Sequence, residues 1–201
     1  MAPKARVITA PPILRKHSTF CGLLTRNKRY IKRAMNSSDD LSSPTMRAAK
    51  AILVGGLIVG LLDLLYAILV YSPRHPIRVP QTIAAGLLGL NAYNGRMRTA
   101  VLGVVLHFII ALGAASVYYA ASRKLRALVH HAILCGAVYG ALVYFFMHLV
   151  VLPLSALPHR HTPLIYQATE FVEHWFFVGL PIALSVRHYA GSPKAMRTGA
   201  P

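Results

Sequence analysis

Four stretches of mostly apolar residues constrain the fold of this chain more than any other feature. They cover residues 51–71, 99–121, 132–152 and 164–186. Each is close to the ~20 residues that a helix needs to cross the hydrocarbon core of a bilayer. Because backbone polar groups in lipid must be satisfied within the protein, such stretches are expected to be helical. The sequence therefore predicts an all-α polytopic membrane protein with four transmembrane helices in residues 47–188.

The loop between the first two predicted spans has a helical pattern of its own. Pro73, Pro76 and Pro80 interrupt the first span, because proline removes a backbone donor and clashes with the preceding turn. Residues 81–93 then place apolar side chains along one face. About 13 residues are too few to cross a bilayer. We expect a short amphipathic helix in the first outer loop, either interfacial or re-entrant, with a lid over polar groups as the functional alternative.

Basic residues flank the apolar stretches and predict the topology. The formal net charge is +17, from 22 Lys and Arg against 5 Asp and Glu. Seventeen of the Lys and Arg lie in the terminal segments and in residues 123–131, and five lie in residues 72–98 and 153–163. The positive-inside rule then places both termini in the cytoplasm. This distribution predicts contact with anionic lipid headgroups and no binding to nucleic acid.

The two ends of the chain differ from the apolar middle. Residues 1–46 contain nine Lys and Arg and no acid before Asp39. They lack the apolar region and cleavage site of a secretory signal. We expect a basic, disordered cytoplasmic tail, with a translation start at Met46 as the alternative. Residues 189–201 are expected to form a second cytoplasmic tail.

Small residues recur at helical spacing inside two predicted spans. Gly56 and Gly60 form one GxxxG pattern, and Gly136 and Gly140 form another. Such patterns allow close packing of membrane helices. Asp63 lies about 20° around the helix from Gly56 at 100° per residue, so we expect this acid to face the bundle.

Every acidic residue after Asp40 lies within a predicted span. Ionisable groups in lipid are costly, so they are expected to face protein or a water-filled cavity. With the predicted topology they share a depth of about 9–15 Å below the outer surface, at ~1.5 Å per residue. The predicted polar cluster consists of Asp63, His107, Glu170, Glu173 and His174.

This cluster has three open interpretations, and the sequence indicates no specific activity. The first is structural, in which the polar groups bind one another and hold the helices in register. The second is a small transporter or proton-linked channel, because membrane acids and histidines form proton relays. The third is a metal or haem site with His107, His174 and Glu173 as candidate ligands. No cofactor is expected under the first two, and the sequence does not indicate the oligomeric state.

Catalytic motifs are poorly represented. Residues 170–174 read EFVEH, whereas the zincin and inverzincin motifs need a histidine at the position of Glu170. The chain has no GxSxG sequence and no phosphate-binding glycine loop. The sequence therefore favours a protein that is not an enzyme.

The order of several short motifs resembles a known family. The motifs are GGLIVGLLD in the first span, LHFIIAL in the second, YGALVY and VVLPLSALP in the third, and the EFVEH stripe before VGLPIAL in the fourth. From residue 47 to about 188 the chain is similar to uncharacterised bacterial four-span inner-membrane proteins. The resemblance implies this topology and a location in the bacterial cytoplasmic membrane, and it implies no activity.

Overall fold

The computed structural model describes residues 44–158 and 163–190, and these residues are almost entirely helical. The α-helices are α1 Pro44–Tyr71, α2 Arg78–Leu88, α3 Arg96–Lys124, α4 Ala127–His130, α5 Ala132–Phe146, α6 Leu152–Leu154, α7 Leu164–Glu173 and α8 Leu180–Ala190. A 3₁₀ segment, Gly89–Gly95, joins α2 to α3. No β-strand occurs in these two ranges. The predicted tails fall almost entirely outside the described residues.

Three helical stretches are long and apolar enough to cross a membrane. They are Pro44–Tyr71, Arg78–Lys124 and Ala132–Leu154. By length and composition, the chain is therefore a helical membrane protein, as the apolar stretches predict. The helix α3 begins at Arg96 and ends at Lys124, three residues beyond the predicted second span at each end.

Large apolar side chains lie on the outside of these helices, and small ones lie between them. Leu61, Ile109 and Leu142 are 62%, 58% and 59% exposed, whereas Ala115 and Ala132 are completely buried. A water-soluble bundle would bury the large side chains. Lipid is as apolar as leucine, so membrane helices instead place small residues at their contacts.

Glycines set the contacts of α1 with its two neighbours. Gly56 lies against Leu112 and Gly60 lies against Phe108, both on α3. On a different face of α1, Gly55 packs against Ser185 of α8. The helix α1 therefore lies between α3 and α8, and the first GxxxG pattern faces α3.

The second GxxxG pattern packs against the last helical stretch of the chain. Gly136 lies against the backbone of Gly179, and Gly140 lies against the backbone of His174. A hydrogen bond from the hydroxyl of Tyr139 to the carbonyl oxygen of Ala114, 2.7 Å long, also connects α5 to α3. These contacts close a bundle of four helical stretches.

The short helix α2 lies where the sequence predicts one, but it packs against α3. The backbone of Pro80 contacts Gly103, and the side-chain amide of Gln81 donates a 3.0 Å hydrogen bond to the carbonyl oxygen of Arg96. The amide of Ala156 also donates a 2.8 Å hydrogen bond to the carbonyl oxygen of Gly86. The segment after the third span therefore holds α2 from another side.

Two π-helical segments interrupt the regular helices, and a proline follows each. Met147–Val151 precedes α6, which contains Pro153, and His174–Gly179 precedes α8, which contains Pro181. Proline has no N–H for the carbonyl four residues earlier and crowds it. The wider π turns accommodate that carbonyl, which for Pro181 belongs to Phe177. π-bulges are frequent at functional sites.

Candidate functional site

Each acidic side chain of the described residues lies beside a different histidine. The three pairs are Asp63 Oδ2 with His107 Nε2 at 3.9 Å, Glu170 Oε2 with His148 Nε2 at 3.7 Å, and Glu173 Oε2 with His174 Nδ1 at 2.7 Å. We call these six residues the acid–histidine cluster. Five of them form the predicted polar cluster, and the structure adds His148.

The first pair connects α1 to α3. The Nε2 atom of His107 lies 2.9 Å from the carbonyl oxygen of Gly60. A carbonyl can only accept, so this nitrogen carries the hydrogen and directs it at the backbone. Asp63, at 3.9 Å, is too distant for a hydrogen bond with the same nitrogen. The carboxylate and the ring therefore interact electrostatically.

The second pair connects α7 to the π segment that follows α5. The Nδ1 atom of His148 bonds to the carbonyl oxygen of Tyr144, 3.1 Å away, which turns Nε2 toward Glu170. The hydroxyl of Tyr71 donates a longer bond, 3.4 Å, to the same carboxylate. The predicted polar cluster leaves out His148, because residue counting along a straight α-helix places it nearer the outer surface; the structure instead places it beside Glu170. The sequence signal for this pairing is a histidine one helical turn after Tyr144, near the outer end of the third predicted span.

The third pair is the most buried. The side chain of Glu173 is 1% exposed and that of His174 is 8% exposed. The Nδ1 atom of His174 lies 2.7 Å from Glu173 Oε2 and 2.9 Å from the carbonyl oxygen of Glu170. One nitrogen has at most one hydrogen, and the geometry directs it at the carbonyl. Neither oxygen of Glu173 accepts a hydrogen bond from a described residue.

Aromatic rings surround the two glutamate pairs. The ring of Tyr144 lies 4.1 Å from that of His148 and 5.6 Å from that of His174, measured between ring centres. The ring of Phe171 lies 5.2 Å from Tyr144, and Phe177 contacts Tyr66 at 6.0 Å. These rings place apolar faces beside His148 and His174.

Asp63 also acts electrostatically on the two glutamate pairs. Asp63 interacts electrostatically with Glu170, Glu173 and His174 in addition to its contact with His107. The first pair is therefore linked electrostatically to the two glutamate pairs.

The metal interpretation requires several ligands to converge on one point. Within residues 44–158 and 163–190, no three His, Cys, Asp or Glu side chains form a group that could hold a metal ion. The candidates His107, His174 and Glu173 are thus not gathered into one ligand set. The structure arranges acids and histidines in pairs instead.

The chain matches no protein-family model, no curated protein and no solved structure. The resemblance to bacterial four-span inner-membrane proteins therefore stays a prediction from the sequence.

Proposed function

We propose that this is a four-span protein of the bacterial cytoplasmic membrane, with both termini in the cytoplasm. The fourth crossing would be the continuous helical stretch of α7, the π segment and α8, which at ~1.5 Å per residue is long enough to span. Its apolar side chains point outward, with Phe176 57% and Leu184 42% exposed. Its buried ionisable residues, Glu173 and His174, face the bundle, the position expected of such groups in a membrane.

Reporter fusions test this topology. Alkaline phosphatase is active only outside the cytoplasm, so we expect a fusion within residues 153–158 to be active and a fusion after residue 190 to be inactive. A matched pair of fluorescent-protein fusions should give the opposite pattern. An active phosphatase after residue 190 would mean that the last helical stretch does not cross.

We propose further that the acid–histidine cluster takes up and passes protons, in a small proton-linked transporter or channel. The observation that carries this proposal is the buried carboxylate of Glu173, which lies beside His174 but accepts no hydrogen bond from a described residue. Polar groups with a purely structural role are normally hydrogen-bonded, and burying a charge is expensive unless it is both paired and hydrogen-bonded. A carboxyl group that exchanges a proton is compatible with such burial, because it changes its charge as part of its function. Acid and histidine chains serve as proton relays in pumps and transporters.

A structural role is the second candidate, and a specific observation favours it. All three histidines of the cluster bond to backbone carbonyls, those of Gly60, Tyr144 and Glu170. Of these, the bond from His107 to Gly60 connects two different helices. Interhelical polar contacts in membranes are worth about 0.6 kcal/mol on average, so such bonds stabilise the bundle modestly.

Proton flux in liposomes distinguishes the two roles. The purified full chain is reconstituted with a trapped pH indicator, and a potassium gradient with valinomycin supplies the driving potential. We expect the pH of the lumen to change faster in liposomes that contain the wild type than in empty liposomes. D63N and E173Q should reduce this rate at least about tenfold, which corresponds to ~1.4 kcal/mol. The variant H188Q, a histidine outside the cluster, serves as the control.

The same experiment can contradict the proposal. Wild-type liposomes that are no faster than empty ones, or folded D63N and E173Q that conduct like the wild type, would reject proton passage. If both variants fail to accumulate in the membrane while H188Q accumulates normally, the structural role is supported instead.

A further inference from the structure

Six lysine and arginine side chains lie at the end of the bundle where α1 begins and where α3 and α8 end. Two are near the start of α1, two in the last turn of α3, one directly before α4 and one in the last turn of α8. We call these residues the basic end: Arg47, Lys50, Arg123, Lys124, Arg126 and Arg187. All are exposed except Arg47, which is half-buried. They therefore give this end of the bundle a positively charged surface.

The packing of α1 against α3 brings two of these helix ends to the same level. Gly56 and Gly60 contact successive turns of α3 in reverse order, so the two helices are antiparallel. The same register places Arg47 within about one helical turn of the level of Arg123. The charges at the start of α1 and at the end of α3 therefore belong to one surface.

The last helix of the chain follows the same pattern. Ser185 of α8 packs against Gly55 of α1, whereas the π segment before α8 reaches the ring of Tyr66, near the other end of α1. These two helices are also antiparallel, and their register places Lys50 within about one helical turn of the level of Arg187. The charge at the end of α8 thus joins those of α1 and α3.

A buried apolar cluster fixes the turn between α3 and α4 beside these helix ends. Ala51 and Val186 are completely buried in this cluster, and each is next in sequence to a basic residue. Leu128 of α4 packs against the same cluster, and its carbonyl oxygen accepts a 2.9 Å hydrogen bond from the hydroxyl of Tyr118. The backbone that carries the basic residues is therefore held in place, which lowers the cost of ordering it around a ligand.

No acidic side chain of the described residues lies at this end. All of them belong to the acid–histidine cluster, and Asp63, the acid of α1, is 13 residues from Lys50, about 20 Å at ~1.5 Å per residue. The six cations therefore have no carboxylate partner within residues 44–158 and 163–190. Charges of this kind at a membrane surface attract the phosphates of anionic lipids.

We propose that the basic end binds one molecule of cardiolipin, a phospholipid with two phosphate groups. Basic pockets between the cytoplasmic ends of membrane helices bind such headgroups, and the proposed topology places this end in the cytoplasm. The cations come from two parts of the surface, the turn between α3 and α4 and the ends of α1 and α8, so each part has a phosphate to bind. Leu125, in the turn, and Leu184, one turn before Arg187, are exposed beside the cations and offer apolar contacts to acyl chains.

This site goes beyond the general contact with anionic headgroups that the charge distribution predicts, and it does not depend on proton passage. Thermal unfolding of the full chain in detergent with added lipid tests it. We expect cardiolipin to raise Tm above the value in phosphatidylcholine. Phosphatidylglycerol at equal phosphate concentration should raise it less, and inorganic phosphate should not raise it. The variant K50Q/R126Q/R187Q should lose at least about half of the increase, because a ligand stabilises the folded state according to its affinity.

The matched control is R74Q/R96Q/R98Q, which removes three exposed arginines from the opposite end of the bundle. The change in net charge is identical, and residues 1–43 are the same in both variants. The control should keep the increase in Tm. Equal loss in both variants would show that total charge attracts the lipid and would reject the site. An equal increase with phosphatidylglycerol, or with inorganic phosphate, would reject a site for two lipid phosphates.

Acetylation of the wild type decides if K50Q/R126Q/R187Q does not accumulate. A water-soluble acetylating reagent modifies exposed amines, and mass spectrometry locates the products. Cardiolipin should protect Lys50 and Lys124 more than phosphatidylcholine does, because both amines would face phosphate. Equal acetylation of these two lysines in the two lipids would reject the site. Silent liposomes in the flux experiment would reject proton passage and leave this result unchanged.

Discussion

Gly140 lies directly against the peptide backbone of His174, with no space between them for a side chain. A Cβ atom added to Gly140 would approach the carbonyl carbon of His174 to 2.8 Å and the Cα atom of Trp175 to 3.0 Å. Real Cβ atoms do not come this close to backbone, so one of the two helices would have to move. The contact that closes the bundle is therefore also the contact that positions the buried pair.

The substitution G140A should accordingly destabilise the fold and disturb the cluster. Overpacking a close contact typically costs ~1–3 kcal/mol, and we expect a loss of this order in the free energy of unfolding in detergent. Proton flux in liposomes should decrease as well, because the π segment has to shift.

The matched control for G140A is G113A. A Cβ at Gly113 would meet nothing within 4 Å, and alanine favours a helix over glycine by about 0.5–1 kcal/mol. The free energy of unfolding of G113A should therefore be equal to that of the wild type or slightly higher. Equal destabilisation by both alanines would mean that the contact with His174 does not determine the effect, since helix propensity favours alanine at both positions.

Loss of the Tyr139 hydroxyl should weaken the connection between α5 and α3. In Y139F the carbonyl oxygen of Ala114 loses its 2.7 Å partner, while the ring keeps its contact with Tyr118 at 4.9 Å between centres. We expect a decrease of about 1 kcal/mol in the free energy of unfolding, measured by chemical or thermal unfolding in detergent.

The control for this change is Y119F. Tyr119 packs against the same buried cluster, and its hydroxyl bonds to no described residue. Its removal should have little effect on stability. If Y119F costs as much as Y139F, the loss reflects general packing of tyrosines and not the interhelical hydrogen bond.

The helices and their inward faces followed from the sequence more fully than the pairing within the site. The spacing of Gly56 and Asp63 placed both on one face, and the structure directs Gly56 at α3, where His107 meets Asp63. The pairing of His148 with Glu170 required knowing that α5 packs beside α7, which helical periodicity does not encode. It also depends on the π segment Met147–Val151, because its wider turns change the depth at which each later residue lies along the helix.

The boundaries of α2 show a similar limit. The sequence predicts a helix over residues 81–93, with Pro80 as a break. The helix instead begins at Arg78 and ends at Leu88, with Pro80 in its first turn. Proline is tolerated there because the first N–H groups of a helix have no partner within it. Proline therefore marks either the end of one helix or the start of the next, and the sequence pattern does not distinguish the two.

The pairing of histidines with acids predicts which double substitutions will be coupled. Glu170 contacts His148 at 3.7 Å, while His107 contacts Asp63 at 3.9 Å. A double-mutant cycle between E170Q and H148Q should therefore give a coupling energy of about 0.5–1 kcal/mol in unfolding. We expect a coupling energy near the lower value, because these side chains are 29% and 25% exposed and solvent screens them.

The mismatched cycle between E170Q and H107Q is the internal control. It removes one acid and one histidine from the same cluster, so the change in composition is identical, but the two residues belong to different pairs. We expect its coupling energy to lie within about 0.3–0.5 kcal/mol of zero. Equal coupling in both cycles would show that the cluster acts through its total charge. Coupling only between E170Q and H148Q would show that the individual contacts determine the energetics, because each carboxylate then senses the histidine beside it.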